Sequence, residues 1–563
     1  MSASAAYPVV CAQINTIVGD FEGNVKKILD AARRAQAQGA RMLVCPEMTV
    51  TGYPAEDWLL RKDFCAQCAL WIERLREALL RETPGLAVVA GGVRMTRGGR
   101  RNTLYFFAGD GSVQTYDKRH LPEYGVFDEG RVFTPGRRTL VVKLGKRLRA
   151  GFAVCEDLWF EDVARQLKQA RADFIVSINA SPWEKGKRAE REAAVIGHAA
   201  AAGLPLIYVN LTGGQDELVF DGHSFASDAE GRVVMRMGAV EGLAAPVDAV
   251  RLAAGDLAPC ADSADAPVPG TGISELYDML VMSVRDYVVK NGFSDVVLGL
   301  SGGVDSALAA NIAADALGAE HVHAVMMPTR FTADLSLQLA QTCAKNLGIA
   351  YCVRPIEPLY RAFMGVLAGD FAGRPWNEAE ENLQARVRGT LLMAYSNKFS
   401  RLVLTTGNKS ESAVGYSTLY GDTAGAFAPI KDVLKTEVWA LCREVNRRAG
   451  FERIPEAVIE RAPSAELREG QLDEQSLPPY AVLDQIIAAY VERGAGIDEI
   501  VESGFARETV ERVVRLIHRN EYKRRQCPVG PKVSAVAFGR DWRFPMTARI
   551  GCLQKPSGSG ASR

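Results

Sequence analysis

Apolar and polar positions in the first half of the chain follow two periods. Short runs rich in Val, Ile, Leu and Phe have the length of buried strands, and they lie at residues 9–14, 42–45, 86–91, 103–107, 149–154, 174–178 and 206–209. Between them, residues 24–38 and 188–202 repeat apolar positions at helical spacing. Strands that alternate with helices are typical of an α/β layered domain, which we expect over residues 1–250.

A second α/β pattern begins after a segment of different composition. Residues 251–272 are rich in Ala, Asp and Pro with little periodicity, which indicates a linker. Beyond it, strand-like runs at residues 296–300, 322–326 and 401–405 alternate with helical patterns at residues 304–317 and 333–347. This order predicts a doubly wound parallel sheet in a second domain over residues 273–553, followed by a flexible tail at 554–563.

Composition and charge narrow the class of function. The 563 residues include 67 Lys and Arg against 67 Asp and Glu, so no positive field favours nucleic acid or an acidic membrane. Many of the 11 cysteines lie in apolar runs, and Cys65-x-x-Cys68 has no second pair beside it, which predicts reduced thiols. Neither a signal peptide nor an apolar run of about 18 residues is found. We therefore expect a soluble, cytoplasmic protein that acts on small molecules.

The strand at residues 296–300 opens directly into a glycine loop and then a helix. The loop reads Gly299-Leu300-Ser301-Gly302-Gly303-Val304-Asp305-Ser306. Paired glycines bring backbone N–H groups close to phosphate oxygens, and serine hydroxyls and the helix N-terminus add donors. Because a bare carboxylate repels phosphates, we interpret Asp305 as a Mg²⁺ ligand beside a nucleoside triphosphate. The alternative is an ordinary strand-to-helix turn.

The same loop lacks the Gly-Lys-Ser/Thr of the Walker motif. It resembles instead the Ser-Gly-Gly-x-Asp-Ser loop of the N-type ATP pyrophosphatases. That resemblance implies cleavage of ATP between the α and β phosphates, with adenylation of a substrate.

Three chemically reactive side chains stand at predicted strand ends in the first half. Cys155 follows Gly151-Phe-Ala-Val, Glu47 follows Val44-Cys-Pro, and Lys118 follows Tyr116-Asp. Taken singly, a strand cysteine is usually a packing residue and the two charges are ordinary surface charges. Together they resemble, by residue type and order, the Glu-Lys-Cys triad of the nitrilase superfamily, whose fold is an α-β-β-α sandwich.

This resemblance implies an amidase reaction. Glu47 is expected to take the thiol proton and Cys155 to attack a carboxamide. Lys118 and the backbone N–H of Glu156 are expected to stabilise the oxyanion, and ammonia leaves.

The succession of both patterns on one chain, up to about residue 545, resembles the glutamine-dependent NAD⁺ synthetases. The motifs that carry the resemblance are Pro46-Glu-Met-Thr-Val-Thr-Gly-Tyr-Pro54, Leu121-Pro-Glu-Tyr-Gly-Val-Phe-Asp-Glu129, Asn179-Ala-Ser-Pro-Trp-Glu-Lys-Gly-Lys-Arg188, Glu381-Asn-Leu-Gln-Ala-Arg-Val-Arg388, Thr405-Thr-Gly-Asn-Lys-Ser-Glu411, Phe427-Ala-Pro-Ile-Lys-Asp-Val-Leu-Lys-Thr-Glu437, Pro463-Ser-Ala-Glu-Leu467, Leu477-Pro-Pro-Tyr480 and Asn520-Glu-Tyr-Lys-Arg-Arg-Gln526. It implies that ATP adenylates nicotinic acid adenine dinucleotide and that ammonia from glutamine then gives NAD⁺, AMP and glutamate.

The resemblance also implies binding roles, residue by residue. Glutamine is expected at Tyr124, Ser181 and Lys187; ATP at residues 299–306, Thr406 and Lys435; the dinucleotide at Asn382, Arg386, Glu411 and Lys523; and Mg²⁺ at Asp305 and Glu411. A homo-oligomer built on a dimer of the synthetase domain is expected as well.

Some points stay open at this level. The lysine that ammonia-only synthetases carry in the loop after the metal glutamate is Leu419 here, and any of residues 523–525 is a candidate dinucleotide contact. Two other functions would use parts of the same motifs. An RNA-thiolating pyrophosphatase needs a basic surface, which the neutral charge disfavours; a regulatory protein with decayed sites would have lost one of Glu47, Lys118, Cys155 or Asp305, and all four are present.

Overall fold

The computed structural model describes residues 6–258 and 272–548, and the chain divides between residues 271 and 272 into two compact units. Most of the predicted linker and the whole predicted tail at 554–563 lie outside the described residues. Residues 249–254, at the start of the predicted linker, are helical. No helix in the described part is long and apolar enough to span a membrane.

The N-terminal unit alternates strands and helices. Its strands are β1 Pro8–Gln13, β2 Met42–Val44, β3 Ala87–Thr96, β4 Gly99–Phe107, β5 Val113–Asp117, β6 Val141–Leu144, β7 Leu148–Val154, β8 Phe174–Asn179, β9 Leu206–Asn210, β10 Thr212–Gln215, β11 Leu218–Asp221, β12 Phe225–Ser227, β13 Val233–Arg236, β14 Gly242–Leu243 and β15 Val247–Asp248. Its helices are α1 Phe21–Ala37, α2 Lys62–Glu82, α3 Glu129–Val132, α4 Glu161–Gln169, α5 Lys187–Ala201 and α6 Ala249–Ala254.

Two sheets form the centre of this unit. The first has the order β14-β1-β2-β3-β4-β5, with β15 also paired to β1, and the second has the order β13-β12-β9-β8-β7-β6. Side chains alternate across each strand: Val89 packs between the sheets, whereas Val88 packs under α1 and α2. In the second sheet, Val154 faces the first sheet and Ala153 lies under α4 and α5. The predicted α-β-β-α sandwich is therefore confirmed.

The C-terminal unit contains fewer strands and more helices. Its strands are β16 Val296–Gly299, β17 Val322–Met326, β18 Ala350–Val353 and β19 Leu402–Leu404. Its helices are α7 Ile273–Lys290, α8 Val304–Leu317, α9 Asp334–Leu347, α10 Glu357–Phe371, α11 Glu378–Phe399, α12 Lys409–Val414, α13 Lys435–Ala449, α14 Glu456–Glu460, α15 Tyr480–Ile487, α16 Ile497–Glu502, α17 Arg507–Arg519 and α18 Glu521–Arg524.

The sheet of the C-terminal unit is parallel, with the order β18-β17-β16-β19. Val297 packs with residues of α11, and its neighbours Val296 and Leu298 are also fully buried, so both faces of the sheet are covered. The predicted doubly wound sheet is confirmed. The chain reverses its direction of winding beside β16, and residues 299–303 follow β16 at this switch point, where such sheets bind ligands.

Close approach of two backbones positions the segment after β2. A Cβ atom on Gly91, in β3, would lie 2.1 Å from the Met48 nitrogen and 2.8 Å from the Cα of Glu47. The Gly91 N–H and carbonyl also bond Pro46 O and Val50 N, at 3.2 and 3.0 Å. Only glycine lets this segment lie against the sheet.

We expect Gly91→Ala to lower the free energy of unfolding by about 1–3 kcal/mol, because the backbone at Glu47 must move away. Urea unfolding of the full chain, followed by fluorescence, measures the change. Gly197→Ala is the matched control: this glycine lies in α5 with no atom within 4 Å of an added Cβ. It should raise stability by about 0.5–1 kcal/mol. Equal stability of the two variants would contradict the close-approach argument.

Candidate functional site

The N-terminal unit brings its three predicted catalytic side chains together at the carboxyl ends of strands. Glu47 follows β2, Lys118 follows β5 and Cys155 follows β7. All three are buried, and Lys118 Nζ bonds Glu47 Oε1 at 2.9 Å. Cys155 begins a 3₁₀ helix, Cys155–Trp159, with a φ of 48°. This backbone conformation is uncommon for residues other than glycine or asparagine, and such exceptions cluster at functional positions.

A second carboxylate completes the surroundings of the lysine. Lys118 Nζ also bonds Glu129 Oε1 at 2.9 Å, and the same oxygen accepts the Tyr53 hydroxyl at 3.0 Å. Burial alone would lower the pKa of Lys118, but the charges of Glu129 and Glu47 hold it well above its ordinary value. Burial raises the pKa of Glu129 to about 7, against the opposing effect of Lys118. The lysine is therefore a permanent cation.

Hydrogen-bond donors hold the Glu47 carboxylate from both sides. Asn102 Nδ2 donates to Glu47 Oε1 at 2.7 Å, and the Ala180 N–H donates to Glu47 Oε2 at 2.9 Å. Burial and then the charge of Glu47 raise the pKa of the Cys155 thiol well above its ordinary value, against the effect of Lys118. The raised pKa favours the protonated thiol over the thiolate.

The three predicted glutamine contacts, Tyr124, Ser181 and Lys187, differ in their surroundings. The Tyr124 hydroxyl donates to both carboxylate oxygens of Glu156 at 3.1 Å, and Lys187 Nζ lies 5.9 Å from the centre of the Phe127 ring. Tyr124 contacts the same ring edge-on. Ser181 is buried, and its backbone pairs with the Asn210 side chain at 2.9 and 3.1 Å.

In the C-terminal unit, the glycine loop closes on itself through its serines. The Ser301 N–H donates to Ser306 Oγ and the Gly303 N–H to Ser301 Oγ, both at 3.2 Å. Gly302 has a φ of 83°, and a Cβ there would lie 2.4 Å from the Ser336 carbonyl oxygen. The tight turn before α8 therefore requires glycine at this position.

The two predicted metal ligands converge on one buried lysine. Lys435 Nζ pairs with Asp305 Oδ2 and lies 3.3 Å from Glu411 Oε1. Asn408 links the Asp305 carboxylate to the backbone at Glu411, since its Nδ2 donates to Asp305 Oδ1 and its Oδ1 accepts the Glu411 N–H, both at 2.9 Å. Burial and the neighbouring Asp305 raise the pKa of Glu411 to about 8, against the effect of Lys435.

A cavity of about 310 Å³ opens beside this lysine. The glycine loop, Thr406 and Asp473 line it, together with Arg388, which donates to Met327 O at 2.9 Å. Burial lowers the pKa of Arg388 to about 10. Within residues 6–258 and 272–548, no three His, Cys, Asp or Glu side chains form a group suited to a metal ion by themselves.

The predicted dinucleotide contacts meet at the loop of residues 416–422. Asn382 Oδ1 accepts the Thr418 hydroxyl at 2.6 Å, and Arg386 Nε donates to Leu419 O at 3.2 Å. Lys523 Nζ donates to Gly415 O and Ser417 O at 2.7 and 2.8 Å. Leu419, which stands where ammonia-only synthetases carry a lysine, thus contacts Arg386 through its backbone carbonyl.

The sequence prediction omitted several side chains that the structure adds to these sites. Glu129 and Arg388 each close a motif already singled out, Asn408 lies inside another, and these positions were the available signal. Asn102 lies within β4 between Arg101 and the apolar run of residues 103–107, and nothing in the sequence marks it.

Comparison with known proteins agrees with this geometry. A carbon-nitrogen hydrolase family model matches residues 9–254, and an NAD synthase model matches residues 276–527. The chain is 42% identical over 549 residues to the glutamine-dependent NAD(+) synthetase of Acinetobacter baylyi, with 96% of this chain and 98% of that protein covered. It is 42% identical over 573 residues to the protein of the same name from Thermotoga maritima, with the same coverage.

A solved structure is similar over the same length. It is the glutamine-dependent NAD⁺ synthetase of Acinetobacter baumannii in complex with adenosine diphosphate, with 40% identity and a TM-score of 0.76. The alignment covers 96% of this chain and 98% of that one.

Because the folded state raises the pKa of Glu129 from 4.5 to about 7, its proton stabilises the fold below about pH 4.5, and that contribution is lost as the pH rises through about 7. Glu129→Gln stays neutral at every pH and keeps the acceptor for Lys118 and Tyr53. We therefore expect the wild type to lose on the order of 2 kcal/mol relative to this variant between pH 5 and 8.

Urea unfolding of both proteins at each pH measures that loss. Any loss of stability that the amide of the Glu129→Gln variant itself causes does not depend on pH. It therefore leaves unchanged the difference between the two proteins in how the free energy of unfolding varies with pH. Parallel pH curves would show that Glu129 is ionised throughout.

Proposed function

The chain belongs to the glutamine-dependent NAD⁺ synthetases, and from that premise we propose which of its residues perform each half of the reaction. The enzyme is a ligase that forms NAD⁺ with glutamine as the amido donor, and it uses ATP. The observation that carries the assignment is that each unit holds a buried lysine between two carboxylates at its site, beside a thiol in one unit and beside the glycine loop in the other.

In the amidase half, Cys155 Sγ attacks the carboxamide carbon of glutamine while Glu47 takes the thiol proton. Lys118 and the Glu156 N–H stabilise the tetrahedral oxyanion. Glu47 returns the proton to the leaving nitrogen, so ammonia departs and a thioester remains. Water then releases glutamate. The raised pKa of Cys155 supports a base-assisted attack rather than a standing thiolate.

Tyr124, Ser181 and Lys187 hold the amino-acid head of glutamine. Lys187 supplies a cation for the carboxylate, and its place on the Phe127 ring supports this role. The pairing of Tyr124 with Glu156 leaves a carboxylate near the mouth of the site, which suits an ammonium group.

In the synthetase half, the nicotinate carboxylate of the dinucleotide attacks the α-phosphorus of ATP and pyrophosphate leaves. The glycine loop and Thr406 bind the phosphates, and Lys435 balances the charge that develops there. Ammonia then attacks the acyl carbon of the adenylate, and AMP leaves. The cavity lined by these residues supports the assignment.

Mg²⁺ is the cofactor that this donor set fits. Asp305 and Glu411 would hold it: both carboxylates converge on one ammonium, and burial together with the charge of Asp305 raises the pKa of Glu411 against the effect of Lys435. Mg²⁺ commonly takes one or two carboxylates and completes its shell with substrate phosphates and water. When bound, it neutralises charge on the departing pyrophosphate.

Asn382, Arg386, Glu411 and Lys523 bind the dinucleotide. Support comes from the approach of Asn382, Arg386 and Lys523 to one loop, residues 416–422, through hydrogen bonds with Thr418, Leu419 and Ser417. A cation and an amide on the same face of α11 suit the phosphates and the nicotinate carboxylate.

We also propose an assembly and a cellular location for the protein. Helix α10 leaves Leu359, Phe363 and Val366 exposed, and β18 beside it is the outermost strand of its sheet. This supports a homo-oligomer built on a dimer of the synthetase unit. The cysteines of the described residues are all free, which supports the cytoplasm as the compartment.

Cys155→Ala should lower glutamine-dependent NAD⁺ synthesis by at least about 10⁴-fold, because no other group replaces a covalent nucleophile. Synthesis from ammonium chloride should persist, since adenylation does not use the thiol. Both rates are measured on the full chain. Glutamine consumption near the wild-type rate in this variant would exclude the amidase assignment.

The converse variant, Asp305→Ala, is the matched control. It should abolish synthesis from either nitrogen source while glutamine hydrolysis persists in part, because adenylation precedes the use of ammonia. Release of pyrophosphate from ATP and the dinucleotide reports the step directly, and normal release would rule out the role given to Asp305.

A further inference from the structure

The side chain of Asp157 bonds to the segments on both sides of the reaction centre. It is fully buried, two residues after Cys155. Its Oδ2 accepts the Val154 N–H at 3.0 Å and the Tyr116 hydroxyl at 2.8 Å. Its Oδ1 accepts the Arg119 N–H at 3.0 Å and the His120 N–H at 2.9 Å. One carboxylate thus binds the residue before the nucleophile and residues on either side of Lys118.

The two segments belong to different sheets. Lys118 follows β5, which lies at the edge of the first sheet, and Cys155 follows β7 in the second sheet. Among the described residues, no strand ladder joins the two sheets, so backbone pairing fixes each segment only within its own sheet. The distance from the thiol to the ammonium therefore depends on bonds that cross between the sheets.

We infer that Asp157 is a positioning residue that fixes the Cys155 thiol relative to the Lys118 ammonium. The inference rests on the proposed function, because it takes Cys155 as the nucleophile and Lys118 as the oxyanion cation. Asp157 itself does not touch the substrate. Its four donors require an acceptor at both oxygens, which a carboxylate supplies and a carboxamide does not.

The test compares Asp157→Asn with the wild type in the full chain. The amide places an NH₂ group opposite one pair of donors, so the two segments must separate slightly. A misplacement of this kind should lower kcat for glutamine hydrolysis by about 100-fold, with the KM for glutamine within about threefold, because the head-group contacts are elsewhere. Alkylation of Cys155 by iodoacetamide should slow, because Lys118 no longer stabilises the thiolate from a fixed position. Ammonium-dependent synthesis should not change.

Asp173→Asn is the matched control. Asp173 Oδ2 accepts the Arg149 N–H at 2.7 Å, so it also binds β7 through a backbone donor, but at the opposite end of the strand. Glutamine hydrolysis and Cys155 alkylation should stay at wild-type rates in this variant.

Tyr116→Phe tests the same bond with little risk to folding, since it removes one of the four donors and keeps the ring. It should lower kcat by about fivefold with the KM unchanged. The inference is overturned if Asp157→Asn or Tyr116→Phe keeps wild-type kcat and alkylation rate, or if kcat and the KM change together. Cys155→Ala, run in parallel, separates the two failures: hydrolysis that survives that change refutes the proposed function instead.

Discussion

A buried ammonium held between two carboxylates is the interaction on which each unit depends. Lys118 lies between Glu47 and Glu129, and Lys435 between Asp305 and Glu411. An isolated charge at such depth is very costly, and removing one partner of a buried pair costs about 3–5 kcal/mol. The surrounding fold must therefore bring each lysine and its carboxylates together accurately, and the same electrostatic field is what the chemistry requires.

Strand ends provide that accuracy. In the sandwich, the carboxyl ends of β2, β5, β7 and β8 deliver Glu47, Lys118, Cys155 and Ala180 to one place, although they come from two sheets with no shared ladder. Side chain to backbone bonds such as Ala180 N–H to Glu47 cross between the sheets. In the second unit, the glycine loop follows β16 at the switch point of one parallel sheet.

Local patterns predicted ten of the nineteen described strands, β1–β4, β7–β9, β16, β17 and β19, because buried strands produce apolar runs. The strands β5, β6 and β10–β15 were not predicted, and each of them is only two to five residues long. Strand β18 was missed because it is partly exposed and short, so its sequence lacks that signal. Glu129 was missed because the loop after Lys118 returns to the site by tertiary packing that periodicity does not encode. The sequence left open what replaces the lysine contact at Leu419. In the structure, Arg386 donates to the backbone carbonyl of Leu419, and a residue of any type at this position would present that carbonyl.

We propose that the two half-reactions act in series, with the ammonia released in the amidase half used for the acyl-adenylate before it mixes with solvent. Glutamine labelled with ¹⁵N in its amide, supplied with excess unlabelled ammonium at a pH where both nitrogen sources are used, tests this directly. The account predicts that the carboxamide of the NAD⁺ formed is enriched in ¹⁵N well above the bulk ammonia pool. Enrichment equal to that of the bulk pool would contradict it.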